Sequence, residues 1–142
     1  MTQIIDIANK VIDTYCADMG VDRKWLSKKR GQKLAKVDNK GKSLSFIRQS
    51  LAHFLYKRLP VNTAELGKLI GYADHSMVSL YSRIVENHIE IQDPYFMPYY
   101  NRLVEIATPM VDPVNFERVN AYHWRSVDKK VLKIRSVREF SV

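Results

Sequence analysis

Residues 63–90 read TAELGKLIGYADHSMVSLYSRIVENHIE, and they contain two helical patterns joined by a short turn. Thr63 can cap the first pattern, with an acidic side chain in its first turn, and Gly71 ends it. Asp74 is a candidate N-cap for a second, longer helix over residues 75–90. A short helix, a tight turn and a longer helix together form a helix-turn-helix pattern.

The first hundred residues predict a helical bundle around this pattern. Apolar residues recur with the helical period over residues 2–18, 44–59 and about 94–107, and a shorter helix covers residues 22–30. With the two helices of residues 63–90, the sequence predicts an all-α domain of about six helices.

Two prolines, Pro109 and Pro113, predict a linker after the bundle. The chain then divides into a domain over residues 1–108 and a tail over residues 109–142. The tail is basic, and its apolar residues fit neither a clean strand nor a clean helix. It is a candidate for self-association or for binding a protein partner.

The charge of the chain favours a polyanionic partner. Lys and Arg number 23 against 15 Asp and Glu, which gives a formal charge of +8. Residues 22–42 alone hold nine Lys or Arg and two Asp. Such an excess suits nucleic acid or an anionic membrane surface. Within this segment, residues 31–43 predict a basic loop, which is either solvated or laid along a phosphate backbone.

Several features set the expected location of the chain. No apolar run approaches the length of a membrane span, and the first residues do not form a secretory signal. We therefore expect a cytoplasmic protein without a membrane partner. The single cysteine, Cys16, excludes an intrachain disulfide, and its helical neighbours predict a small buried residue.

The second helix of a helix-turn-helix can enter the major groove with its N-terminal residues against base edges. Here those residues are His75, Ser76 and Ser79, which are short and polar. A histidine ring can reach guanine or phosphate, and a serine hydroxyl serves donor or acceptor bases. Met77 fits contact with a thymine methyl and fits a place in the core equally well.

The motifs in this region resemble the C-terminal DNA-binding domain of DnaA, the bacterial replication initiator. In that family a Glu-Ile-Gly stretch precedes Gly-Gly-Arg-Asp-His-Thr-Thr-Val. The matching segments here are Glu65-Leu66-Gly67, Ile70-Gly71 and Asp74-His75-Ser76-Met77-Val78. Upstream, Leu26-Ser27-Lys28-Lys29-Arg30 resembles the Leu-Ser-Lys-Arg-Arg run of the family, and Arg48-Gln49 resembles its Arg-Gln pair.

The likeness covers about residues 3–107 and implies a Trp-repressor-like helix-turn-helix domain that binds double-stranded DNA. It implies that Asp74, His75 and Ser76 contact bases and backbone in the major groove. It also implies that Arg30 reaches into the adjacent minor groove.

The long helix before the motif carries three further contacts that the resemblance implies. Arg48 and Gln49 would contact phosphate or bases, and Lys57 would be a phosphate contact. The chain departs from the family at Tyr72 and Ala73, where the family has Gly and Arg, so we do not assume the usual initiator target.

The sequence holds few signals of catalysis. It lacks a G-x-x-x-x-G-K-[ST] phosphate loop, so the ATPase of full initiators is absent, and it lacks metal-ligand spacing. Tyr95, Tyr99 and Tyr100 could suggest a nucleophile, although helical spacing beside apolar residues favours the core. We therefore expect no catalytic residues, no metal and no cofactor.

The predicted function is sequence-selective binding of duplex DNA, as a replication- or transcription-related factor of a host, a phage or a mobile element. The alternative is a DnaA-like domain that acts as a protein–protein interaction module. An RNA-binding role is weaker, because the aromatic sheet signatures of RNA-binding modules are missing. The target sequence and the oligomeric state stay open.

The resemblance gives Arg30 a role that a generic helix-turn-helix lacks. Arginine in the minor groove senses the narrow groove of A·T tracts, so Arg30→Ala should relax preference at one flank of the DNA site only. Lys33→Ala, as a phosphate contact, should weaken all sequences evenly. Binding to a panel of singly substituted duplexes measures both. An equal shift on every duplex for Arg30→Ala would make Arg30 an ordinary surface charge.

Overall fold

The structure, a computed structural model, describes residues 2–26, 41–71, 76–120 and 123–126. These ranges are mostly helical, which confirms the predicted class but leaves the finer family fold as a prediction. They hold five α-helices: α1 (Thr2–Met19), α2 (Leu44–Arg58), α3 (Thr63–Leu69), α4 (Ser76–Ile91) and α5 (Met97–Val111). They also hold 3₁₀ turns at Arg23–Leu26 and Asp112–Val114 and two strands, β1 (Glu117–Asn120) and β2 (His123–Arg125).

The central element is α2, which packs against α3, α4, α5 and β1. Its first turn is capped by Ser43, whose Oγ accepts a hydrogen bond from the Phe46 amide at 3.2 Å. Most of its residues up to Leu55 are buried, and they lie on every face of the helix. A helix that is buried on all sides shows little amphipathic pattern in its sequence. The central position of α2 is therefore seen only from the elements that pack around it.

A single apolar core joins α1, α2, α4 and α5. Tyr15 and Cys16 bring α1 into it, and the Tyr15 hydroxyl donates to the Tyr99 carbonyl of α5 at 2.7 Å. Cys16 is 2% exposed, as the sequence predicted, and this burial raises the pKa of its thiol to about 11. The largest fully buried side chains are Tyr15, Phe96, Ile12, Leu26, Leu44, Ile47, Leu51, Leu55, Leu59, Leu66, Ile70 and Leu103.

Arg23 opens the basic segment, and its guanidinium ties three elements together. Its Nη1 donates to Asp13 at 2.9 Å, and its Nη2 donates to Asn9 Oδ1 at 2.7 Å. The same Nη2 lies 3.3 Å from the Leu69 carbonyl at the end of α3. Arg23 therefore holds the 3₁₀ turn against α1 and α3, and it contributes less to a free basic surface than its charge suggests.

The predicted linker at Pro109 is wrong, because α5 continues through this residue to Val111. Leu103, Ala107 and Val111 are buried at successive i, i+4 positions, so the apolar face of the helix extends past the proline. Pro109 lies in the last turn, where only one helical hydrogen bond is lost. The helix also begins at Met97 rather than Pro94, after a turn in which Asp93 accepts from the Tyr95 amide.

The first part of the tail forms a β-hairpin, which the sequence did not predict. Strands β1 and β2 pair antiparallel, with Glu117 opposite Arg125. From β1, Arg118 Nε donates to the Tyr56 carbonyl at 2.9 Å, and its Nη2 donates to the Val61 carbonyl at 3.2 Å. The hairpin is thereby attached to the Tyr56 carbonyl, which lacks a helical partner in the last turn of α2, and to the Val61 carbonyl beyond the helix.

We expect Arg118→Ala to lower the free energy of unfolding by about 2 kcal/mol, because charge-assisted bonds to part-buried carbonyls are lost. The matched control is Arg125→Ala, which removes an exposed ion pair to Glu117 and should cost about 0.5 kcal/mol. Urea denaturation of both variants measures the difference. Equal losses would mean that the hairpin is not anchored through Arg118.

Candidate nucleic-acid interface

The N-cap of helix α3 is not the residue that the sequence predicted. The capping side chain is Asn62, whose Oδ1 accepts from the Glu65 amide at 2.8 Å. The prediction that Thr63 caps this helix is wrong, because Thr63 is already its first helical residue. The helix is followed by Gly71 at φ +90°, a backbone conformation that glycine adopts without steric cost.

One face of α4 is fixed to the core and the other is open. Val78 and Val85 are fully buried, which turns the opposite side of the helix to solvent. Ser79, Leu80 and Arg83 lie on that open side, and Leu80 is 42% exposed. This open side of α4 carries the candidate interface.

A buried histidine on α2 fixes the middle of α4. His53 Nε2 lies 2.8 Å from Glu86 Oε1, and the Tyr100 hydroxyl lies 2.8 Å from His53 Nδ1. Since the Glu86 carboxylate only accepts, His53 Nε2 donates to it. Burial favours the neutral imidazole, whose Nδ1 then accepts from the Tyr100 hydroxyl. The ring joins α2, α4 and α5 in one chain of hydrogen bonds.

The pKa directions agree with this assignment. Burial lowers the pKa of His53 below its usual 6.5, more than Glu86 raises it. Partial burial alone would raise the pKa of Glu86, but hydrogen bonds from His53 and Lys57 outweigh it and hold the pKa low. Burial raises the pKa of Tyr100.

Two predicted contacts on α2 lie inside the protein. Arg48 is 2% exposed, and its Nε and Nη2 donate to the carbonyls of Leu26 and Trp25 at 2.9 and 2.8 Å. Gln49 is 8% exposed, and its Oε1 meets no hydrogen-bond partner among the described residues. A contact with DNA would require the Arg48 guanidinium to leave two carbonyls, so this placement does not favour the implied role.

Lys57 lies at the edge of the same region. Its Nζ is 3.1 Å from Glu86 Oε1, and its side chain is 39% exposed. An ion pair this accessible contributes at most about 1 kcal/mol, so the ammonium can exchange its partner at small cost. Lys57 is thus placed as a second tie between α2 and α4, and its predicted phosphate contact stays a prediction.

The remaining predicted contacts divide between the open side of α4, the core and the part outside the described residues. Arg30, Asp74 and His75 lie outside the described residues. Ser76 is the first residue of α4, and Met77 packs partly buried against the core, which favours its core role. Ser79 is exposed.

Leu80 and Arg83 were not among the predicted contacts, although both share the exposed side of α4 with Ser79. The signal was available, because Ser79 and Arg83 are four residues apart and Val78 and Val85 mark the buried face. The interface candidate therefore extends about one turn further along α4 than predicted.

Tyr95, Tyr99 and Tyr100 are either exposed or hydrogen-bonded within the fold. Tyr95 is 79% exposed, the Tyr99 hydroxyl accepts from the Ser43 amide at 3.1 Å, and Tyr100 donates to His53. Within residues 2–26, 41–71, 76–120 and 123–126, no three His, Cys, Asp or Glu side chains are grouped to hold a metal ion. In the same ranges, no helix is long and apolar enough to cross a membrane.

No family model, curated protein or solved structure matches the chain. The resemblance to the DnaA domain therefore rests on the motifs of the sequence.

The neutral state of His53 predicts a pH dependence of stability. The unfolded chain protonates this histidine near pH 6.5, whereas the folded protein does so only at lower pH. The contribution of His53 to the free energy of unfolding is therefore complete above pH 6.5, and it should be lost as the pH drops through this value toward the lower folded pKa. Urea denaturation at pH 7.5 and 5.5 tests this.

Two variants assign the effect. His53→Gln should lose most of the pH dependence, since its amide does not titrate. His123→Gln removes an exposed histidine of β2 and should leave the dependence in place. An unchanged pH profile in His53→Gln would contradict the assignment.

Proposed function

We propose that the chain binds duplex DNA sequence-selectively, with α3 and α4 as a helix-turn-helix and the N-terminal half of α4 in the major groove. The protein would act as a replication- or transcription-related factor. The observation that carries the proposal is the open side of α4, where Ser79 and Arg83 are exposed next to the motif Asp74-His75-Ser76.

The geometry of α3 and α4 supports this proposal. A seven-residue helix, a glycine at positive φ and a sixteen-residue helix follow each other, and the two helices pack together. Recognition helices have this form: one face buried and the other presenting polar side chains. The ties from Glu86 to His53 and Lys57 would keep α4 rigid during binding.

The charge of the chain supports a phosphate-rich partner. Arg23 is engaged by Asn9 and Asp13 of α1, but residues 22–42 hold nine Lys and Arg in all, and the formal charge of the chain is +8. Affinity for duplex DNA should therefore fall steeply with salt, since bound phosphates release counterions. Selection of duplexes from a random pool, followed by titration at two salt concentrations, tests the function. Failure to bind any duplex would reject it.

A second candidate is a protein–protein interaction module, and Leu80 favours it. This side chain is 42% exposed in the middle of the open side of α4. In a groove it could contact a thymine methyl, whereas in a protein interface it would fill an apolar pocket. Loss of a protein complex in Leu80→Ala, without any duplex binding by the natural chain, would favour the second candidate.

The selected duplex allows a direct test of base contact. His75→Ala should weaken binding to the preferred duplex by about 1–3 kcal/mol and change binding to unrelated duplex little. His123→Ala, which removes an exposed histidine outside α3 and α4, is the matched control and should bind both as before. Fluorescence anisotropy gives the affinities, and equal melting temperatures exclude misfolding. Equal weakening on both duplexes would deny His75 a role in base reading.

A further inference from the structure

The β-hairpin carries a stack of four planar groups that starts on α2. The Arg118 guanidinium carbon lies 4.3 Å from the ring centroid of Tyr56 and 5.3 Å from that of Phe116. The Phe116 ring stacks on the indole of Trp124, with centroids 5.5 Å apart and planes at 27°. Trp124 is the outermost layer, and it is 63% exposed.

The layers beneath Trp124 are held firmly. Phe116 is 6% exposed, and Arg118 is fixed by hydrogen bonds to the carbonyls of Tyr56 and Val61. An ion pair of 3.0 Å between Arg125 and Glu117 joins the two strands beside the indole. A ring that is already oriented loses little conformational freedom when a second ring stacks on it.

A cavity of about 580 Å³ lies beside the indole. Its lining includes the polar residues Asn62, Asn115 and Ser126 and the apolar residues Pro60, Val61, Val114, Phe116 and Trp124. Asn62 uses Oδ1 to cap α3, while its amide nitrogen carries two further donor hydrogens. An aromatic platform beside amide and hydroxyl groups suits a planar ring with hydrogen-bonding edges.

We propose that Trp124 and this cavity form a site for an unpaired nucleobase of single-stranded DNA. The indole supplies the stacking surface, and Asn62 and Asn115 bond to the edge of the base. The formal charge of +8 on the whole chain favours a polyanionic strand. A second copy of the chain or an apolar peptide fits less well, because the amides and the hydroxyl at the cavity would lose their hydrogen bonds to water.

The site does not depend on groove binding by α4, so the two proposals can fail separately. The chain has two tryptophans, Trp25 and Trp124, and Trp25→Phe leaves Trp124 as the single indole reporter. Titration of this full-length variant with a ten-residue thymidine oligonucleotide, dT10, should quench the fluorescence of Trp124. An abasic deoxyribose-phosphate strand of the same length should not quench it.

Affinities for labelled dT10 then compare three variants of the natural chain. Trp124→Ala should bind about ten-fold more weakly, and Trp124→Phe should recover most of the loss because it keeps a stacking ring. Tyr95→Ala is the matched control, since it removes another exposed aromatic ring, before α5, and should bind as before. Circular dichroism melting verifies that the variants fold.

The results separate the alternatives. Quenching by dT10 alone, with loss only in Trp124→Ala, supports the site even where no blunt duplex binds. Equal binding of the abasic strand, or an equal loss in Tyr95→Ala, overturns it and leaves duplex binding untouched. A dimer that Trp124→Ala dissociates in sedimentation, without any response to dT10, would assign the indole to self-association and also overturns it.

Discussion

Burial of α2 on all of its faces forces its ionisable side chains Arg48 and His53 to find partners inside the protein. An unpaired charge in such a place would cost several kcal/mol, which is comparable to the whole free energy of unfolding of a small domain. Arg48 meets this constraint by donating to the carbonyls of Trp25 and Leu26, and His53 meets it by staying neutral between Glu86 and Tyr100. Each solution also recruits a neighbouring element, so the polar groups of α2 determine where the 3₁₀ turn, α4 and α5 pack.

Much of the helical framework could be predicted from local patterns. The bounds of α1, α2, α3 and α4 agree with the predicted ranges within one or two residues, because amphipathic period, caps and glycines are local signals. The burial of Arg48 was also within reach, since it lies four residues from both Leu44 and Ala52, which are buried. The family resemblance pointed the other way, toward a DNA contact.

The features that the sequence could not give depend on distant residues. His53 and Glu86 are 33 positions apart, and Arg118 reaches carbonyls more than 50 positions away, so no periodicity links them. The hairpin was not predicted because strands of four and three residues are too short to show a clear alternation of apolar and polar residues. The linker predicted at Pro109 was wrong because proline disfavours a helix locally, whereas here the burial of Val111 against the core extends the helix past it.

The two exposed surfaces of interest are both attached to the same helix. Glu86 connects α4 to α2 through His53 and Lys57, and Arg118 connects the hairpin to the end of α2. Both surfaces are thus held by hydrogen bonds to α2, which limits how far the open side of α4 and the indole of Trp124 can move relative to each other. On the two proposals, a single nucleic acid with a duplex next to an unpaired stretch would engage both surfaces at once, and the second contact would form at a high effective concentration. Such a junction would be bound more tightly than either part alone, by an amount that depends on where the duplex ends.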